Sequence, residues 1–163
     1  MDRLSEPMQQ IIRQYSAGSV ATVNADGTPA VSPKATFVVV DSRCIAYGNI
    51  RSPGTSANLR ERPTVEVNFI DVLARLAVRV RGKARLLARD SAEAQTLLPY
   101  FEVSWAPYLE SMSEFVRIDV EQAQLIRSPA YDVGLQRHEL MQTNLAKLSV
   151  LVDAEINEDD NNG

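Results

Sequence analysis

Three features of the sequence predict a mainly β (α+β) fold, an antiparallel barrel with helices at its periphery. Short β-prone runs follow one another as hairpins, no regular strand-helix-strand alternation occurs, and no internal repeat is present. A doubly wound parallel sheet needs a crossover of a dozen or more residues between partnered strands, and the first fifty residues leave no room for one. Closing the sheet on itself would hide most strand edges.

The first element is a helix. In "SEPMQQIIRQYSAG" the apolar residues Met8, Ile11, Ile12 and Tyr15 recur at helical spacing, Ser5 is a candidate N-cap, Pro7 suits the first turn and Gly18 stands just past the end. "SVATVNADGTPAVSP" then alternates apolar and small polar residues on either side of "NADG". Asp26 and Gly27 are expected to supply the positive φ values of a tight hairpin. "ATFVVVD" and "CIAYGN" flank "DSR" as a second hairpin, their β-branched and aromatic content favouring strand. "TSANLRE", Thr55 to Glu61, makes about two helical turns before Pro63 forces Arg62 out of helical geometry, and "TVEVNFI" resumes as strand.

"RLAVRVRGKARLLAR" reads as one long half-buried strand. Leu76, Val78, Val80, Gly82, Ala84 and Leu86 face one way, while Arg75, Arg79, Arg81, Lys83 and Arg85 face the other. Asp90 or Ser91 caps a helix through "AEAQTLLPYFE", a loop around "VSWAPYLESM" follows, and "EFVRIDVEQAQLI" alternates like a strand in its first half. "QRHELMQTNLAKL" reads as a last helix. Residues 1–152 are expected to form a single domain. Residues 153–163 end in "NEDDNNG", offer little to bury and read as an acidic, disordered tail. Without the tail's five carboxylates the net charge moves from −4 to +1, so the body is close to neutral.

Composition excludes several classes. A chain 45% hydrophobic and 23% charged is ordinary for a soluble globular protein, and no apolar run nears the roughly 18 residues of a membrane span. The N-terminus lacks a secretory signal core and Cys44 is the only cysteine, so no disulfide closes within the chain and a reducing cytoplasm is the expected location. One histidine, His138, cannot by itself supply a multi-histidine metal site, and its expected place on an exposed helix disfavours a Ser/His/Asp triad built around it. The cations at Arg75, Arg79, Arg81, Lys83 and Arg85 could attract phosphates, but no aromatics interleave for base stacking, so a solvated barrel face is favoured over a nucleic-acid surface. Trp105 either stacks over a ligand or pins a loop to the barrel.

The most telling segment is "AYGNIRSPGTSANLRERPTVEVNF", residues 46–69. After Asn49 it combines the guanidinium of Arg51, the hydroxyls of Ser52, Thr55 and Ser56, and backbone freed by Gly54, just ahead of a helix start. Unpaired N–H groups and the positive dipole end there suit a phosphate; a merely capped turn uses the same residues. Neither "GxxxxGK[ST]" nor "GxGxxG" is present, which disfavours nucleotides held by those devices.

The run "GSVATVNADGTPAVSPKATFVVVDSRCIAYGNIRSPGTSANLRERPTVEVNFIDVLARLAVRVRGKARLL" resembles the pyridoxamine 5'-phosphate oxidase-like, FMN-binding split-barrel family. The likeness rests on a "ATxxxDGxPxxxP" hairpin, an "S/T-x-x-NLRxxPxV" segment and a closing "G-x-A" strand, covers residues 17–88 well and continues more loosely through "RSPAYDVG". It implies a six-stranded Greek-key split barrel, a homodimer with FMN at the subunit interface, and a flavin-dependent oxidoreductase acting on a small molecule. A non-catalytic flavin or haem carrier and a reductase using the deazaflavin F420 are the alternatives. Position by position, Ser32, Pro33, Lys34 and Ala35 match the strand along the flavin ring, and Tyr47, Gly48 and Asn49 match its neighbour. Arg51, Thr55, Ser56 and Asn58 match the phosphate segment, and Arg75 is the strand cation placed nearest the flavin. Relatives often carry a lysine where this chain has Gly54 or Thr55, so the counter-charge falls to Lys34 and Arg51. The "RxH" spacing that grips pyridoxamine phosphate is missing, since Arg137 and His138 are adjacent, which argues against that substrate.

Overall fold

The structure is a computed structural model that describes residues 3–161, with side chains described to residue 156. The chain divides into two compact units, one comprising Met1–Ile70 with Ala77–Leu125, the other Asp71–Leu76 with Ile126–Gly163.

The first unit opens with α1 (Glu6–Gln14), which buries Ile11 and Ile12 as its periodicity demands and carries Pro7 in its first turn. Strands β1 (Gly18–Val23) and β2 (Pro29–Lys34) pair antiparallel from Gly18↔Lys34 to Val23↔Pro29. Their turn corrects the expectation for Asp26 and Gly27: Gly27 alone has positive φ, at 85°, while Asp26 stays at negative φ and accepts the Thr28 N–H at 3.0 Å. A three-residue loop with glycine in the left-handed position matches the strand twist without a second strained residue.

Strands β3 (Phe37–Asp41) and β4 (Cys44–Asn49) form the second hairpin, and all six residues of β4 are buried. Helix α2 (Pro53–Glu61) follows, then β5 (Thr64–Asp71), β6 (Leu76–Ala88), α3 (Ala92–Trp105), a 3₁₀ segment over Ala106–Ser111, and β7 (Glu114–Arg127). The strands make one antiparallel sheet of seven, in the order β2-β1-β5-β6-β7-β4-β3, consistent with a split barrel. That is one strand more than the six implied by resemblance, and the sheet is not closed, so β2 and β3 remain as edges. β2 carries Pro29 and Pro33, which cannot donate to a further strand.

Alternation in β6 holds from Val78 to Arg85 and then slips, because Leu87 is buried in place of Leu86. Leu87 joins a core of Val38, Ala46, Ala94, Leu97, Phe101, Met112 and Phe115, which seats α3 on the sheet. Ser91 caps α3 by accepting the Ala94 N–H at 3.2 Å, and the helix runs past the predicted stop through Val103 and Ser104. Of the β6 cations, Arg79 meets Gln124 at 2.6 Å, Lys83 meets Thr64 at 2.5 Å, and Arg85 grips Glu93 through two bonds of 2.7 and 2.9 Å.

In the second unit the turn Asp71–Leu76 is organised by a buried carboxylate. Asp71 Oδ1 accepts the N–H groups of Leu73 and Ala74 at 3.0 and 2.8 Å, and Arg137 lies 3.7 Å from Oδ2. Asn144 and Tyr131 donate to the carbonyls of Leu73 and Ala74 at 2.8 and 2.6 Å. Helix α4 spans Arg137–Asn161 and continues as helix through the acidic block for which composition predicts disorder; residues 162 and 163 lie outside the described residues. No helix of the described residues is long and apolar enough to cross a membrane.

Candidate functional site

The register of β4 and the start of α2 decide where the predicted ligand residues go. Because α2 begins at Pro53, Gly54 sits in its first turn at ordinary backbone angles, and a side chain there would meet nothing within 4 Å. Its expected role in freeing the loop is therefore not used. Ser52 is the N-cap residue, yet its side chain makes no capping bond, which leaves the hydroxyl free for another partner.

Two adjoining clefts flank this loop. The first, about 300 Å³, is lined by Pro33, Lys34, Ala35, Thr36, Gly48, Ile50, Arg51 and Ser52. It contains two cations and no carboxylate. Lys34 donates to the Ser32 hydroxyl and, at 3.2 Å, to the Pro33 carbonyl; burial pushes its ammonium below the ordinary lysine value. A partly desolvated cation with only neutral acceptors lacks a counter-ion, so an anion arriving here would gain most of its Coulomb energy. Thr36 spends its hydroxyl on the Gly48 carbonyl at 2.6 Å, fixing the wall between β3 and β4. Gly48 contributes backbone only, since a Cβ there would point into Met112 of the core.

The second cleft, about 430 Å³, shares Ile50, Arg51 and Ser52 with the first and adds Asn49, Pro53, Ser56, Arg60, Ser113 and Glu114. Its centre is a carboxylate. Glu114 Oε1 accepts from Ser56 Oγ at 2.6 Å and Asn49 Nδ2 at 2.8 Å, while Oε2 takes the Arg60 guanidinium at 2.8 Å. Asn49 Nδ2 also donates to Ser56 Oγ at 2.8 Å, and Asn49 Oδ1 is buried with no hydrogen-bond partner. Flipping the amide would set two acceptors face to face, so the network itself requires this orientation.

The predicted residues thus separate. Pro33, Lys34, Ala35, Gly48 and Arg51 come together in the first cleft, and Ser32 supports Lys34 from behind. Asn49 and Ser56 belong to the second cleft, where Glu114 takes their donors. Asn58 turns to the β1–β2 hairpin, donating to Thr22 at 3.0 Å and Asn24 at 2.9 Å, and Thr55 is buried. Tyr47 is a core residue: it is 0% exposed, its ring centroid lies 5.1 Å from that of Phe37, and its hydroxyl has no partner. Burial pushes the Tyr47 phenol well above its ordinary value. Arg75 belongs to the second unit, at φ 53° in the turn between β5 and β6, with its guanidinium 3.4 Å from Asn144 Oδ1. Sequence reasoning named the Ser52 hydroxyl among the loop candidates, and missed Glu114 altogether. For Glu114 no signal exists short of the β4–β7 register, Asn49↔Glu114.

Trp105 donates its Nε1–H to the Phe37 carbonyl at 3.2 Å, pinning the end of α3 to edge strand β3. His138 is exposed near the start of α4. Among the described residues no group of three or more His, Cys, Asp or Glu side chains converges.

A family model described as pyridoxamine 5'-phosphate oxidase matches residues 4–127. The chain belongs to the pyridoxamine 5'-phosphate oxidase family. Solved structures share the family fold at low identity. HupZ of Group A Streptococcus is 22% identical with a TM-score of 0.64, covering 76% of this chain and 94% of its own. A candidate pyridoxamine 5'-phosphate oxidase from Lactobacillus delbrueckii is 24% identical, TM-score 0.63, covering 76% and 95%. HutZ of Vibrio cholerae, described as a haem storage protein, is 21% identical, TM-score 0.60, covering 77% and 94%. No curated protein matches the chain.

Proposed function

We propose that this member of the pyridoxamine 5'-phosphate oxidase family binds FMN and acts as a flavin-dependent oxidoreductase on a small molecule, as a homodimer with the cofactor at the subunit interface. The observation that carries this reading is the first cleft. Two cations, Lys34 and Arg51, and an uncommitted hydroxyl on Ser52, the residue just before α2, meet beside the backbone of Pro33–Ala35, with no carboxylate among the lining residues. Those residues fit a phosphomonoester with a flat ring laid along β2.

Bound there, the flavin would supply the electron chemistry. The chain's residues would hold and shield: Lys34 and Arg51 balance the phosphate's charge, Ser52 donates to one of its oxygens, and the Pro33–Ala35 backbone borders the ring. No acid-base constellation is required of the protein for this task. A second reading, a non-catalytic haem holder, draws support from the likeness to HutZ and from the exposed His138.

The deciding experiment is to purify the protein, record its absorption spectrum and identify the released chromophore by mass. A yellow protein releasing FMN is the expected outcome; a Soret band selects the haem reading, and a deazaflavin mass selects F420. The double variant Lys34→Ala with Arg51→Ala is expected to weaken FMN binding more than tenfold, since each lost charge-assisted bond is worth about 1.5–3 kcal/mol. Unchanged affinity would remove the phosphate assignment. Anaerobic reduction of the bound flavin, then mixing with NAD, NADP or a panel of acceptors, separates an oxidoreductase from a carrier.

A further inference from the structure

We infer that α4 pairs antiparallel with α4 of a second copy of this chain, through a stripe of Met141, Leu145, Leu148 and Val152. The inference goes beyond the flavin reading and uses no residue of either cleft. Leu140 and Asn144 turn one side of the helix into its own unit, where both are buried and the Asn144 amide bonds the Leu73 carbonyl at 2.8 Å. Beside that docked side Leu145, Leu148 and Val152 stand 54%, 41% and 53% exposed, continuing the line of half-buried Met141 along the helix.

Their 4-3-4 spacing is that of alternating d and a positions in a coiled coil, and over three turns a straight helix drifts too little to break the line. Set antiparallel, with the two-fold axis between residues 146 and 147, two copies form four apolar layers: Met141 on Val152, Leu145 on Leu148, and the same pairs reversed. Ser149, at the flank, donates its hydroxyl to the Leu145 carbonyl of its own helix at 3.0 Å, so covering it strands no donor.

Charge selects a second copy as the occupant and fixes its direction. The first half of α4 carries Arg137 and Lys147 against Glu139, whereas the half beyond Leu148 carries Asp153, Glu155, Glu158, Asp159 and Asp160 and no lysine or arginine. Those acids lie toward the negative dipole end of their own helix, the unfavourable end. A parallel partner would set its own acids beside them. An antiparallel partner brings its cations and its positive N-terminal end instead, and places His138 opposite Glu155 as a fifth layer. Such a pair is isologous and closes at two copies, the symmetry of the proposed homodimer.

The test is disulfide trapping. Leu145→Cys and Leu148→Cys, co-expressed as two chains so that mixed assemblies form, are expected to give covalent dimer on mild oxidation at least tenfold faster than either variant alone. They should also exceed tenfold the rate of Val150→Cys, which is 68% exposed on the opposite side of α4. The unaltered chain, its one thiol Cys44 buried, sets the background. Adding Val152→Glu to both chains, at a position already exposed, should slow trapping at least fivefold. Fast trapping of Leu145→Cys with itself means a parallel pair and overturns the inference. So does trapping no faster than that of Val150→Cys, or trapping indifferent to Val152→Glu. None of these outcomes touches the flavin reading, which the released chromophore decides.

Discussion

Burial acts on individual side chains in ways that pH can read. Cys44 is 1% exposed on β4, and desolvation pushes its thiol from the ordinary 9.0 to about 11. The folded state therefore holds its proton more tightly than the unfolded chain does. The stability gained is complete below about pH 9 and is lost as pH rises toward 11; the buried Tyr47 phenol, also shifted upward, acts in the same direction from its ordinary 10.0. Melting temperature is expected to fall steeply between pH 9 and 11, and Cys44 should resist iodoacetamide at pH 8 until denaturant is added. Rapid native-state alkylation would contradict the burial. At this scale legibility was uneven. Lys34 and Arg51 announce themselves as cations beside Ser-Pro pairs, Ser32-Pro33 and Ser52-Pro53. Glu114 acts on Asn49 across 65 residues of chain, through a pairing that no local pattern encodes.

Elements were more readable than side chains, because periodicity and punctuation report backbone state directly. Pro63 ends α2 as expected, and the alternating cations of β6 mark its exposed face. The misses have two causes: tertiary packing carried one boundary past a local signal, and at another a local signal was read too weakly. Residues 103–105 remain helical because Trp105 bonds the Phe37 carbonyl, and α2 starts early because Pro53 is favourable at a first helical position. Two glycines make opposite predictions. Gly54→Ala, on an open first turn, is expected to stabilise by about 0.4–1 kcal/mol in urea unfolding. Gly82→Ala in β6 would drive its methyl group against the Asp119 carbonyl of β7, backbone that cannot step aside, and is expected to cost about 1–3 kcal/mol or more. A neutral Gly82→Ala would mean that the two strands are not so closely apposed.

At the scale of the whole chain, the antiparallel class was predictable and the openness of the sheet was not, since hairpins declare neighbours in sequence while closure depends on pairings distant along it. The proposed homodimer is expected to appear in sedimentation velocity as a species of twice the 18.0 kDa chain mass, carrying one flavin per subunit. A monomer that keeps its flavin would contradict the interface location. Edge strand β2 adds a further consequence. Stray chains polymerise by docking onto exposed amide hydrogens, and Pro29 and Pro33 delete two of them along the rim that the sheet leaves bare. Solubility and ligand chemistry thus converge on Pro33: replacing it with valine would restore a docking point for fibril growth beside the very wall assigned to the flavin.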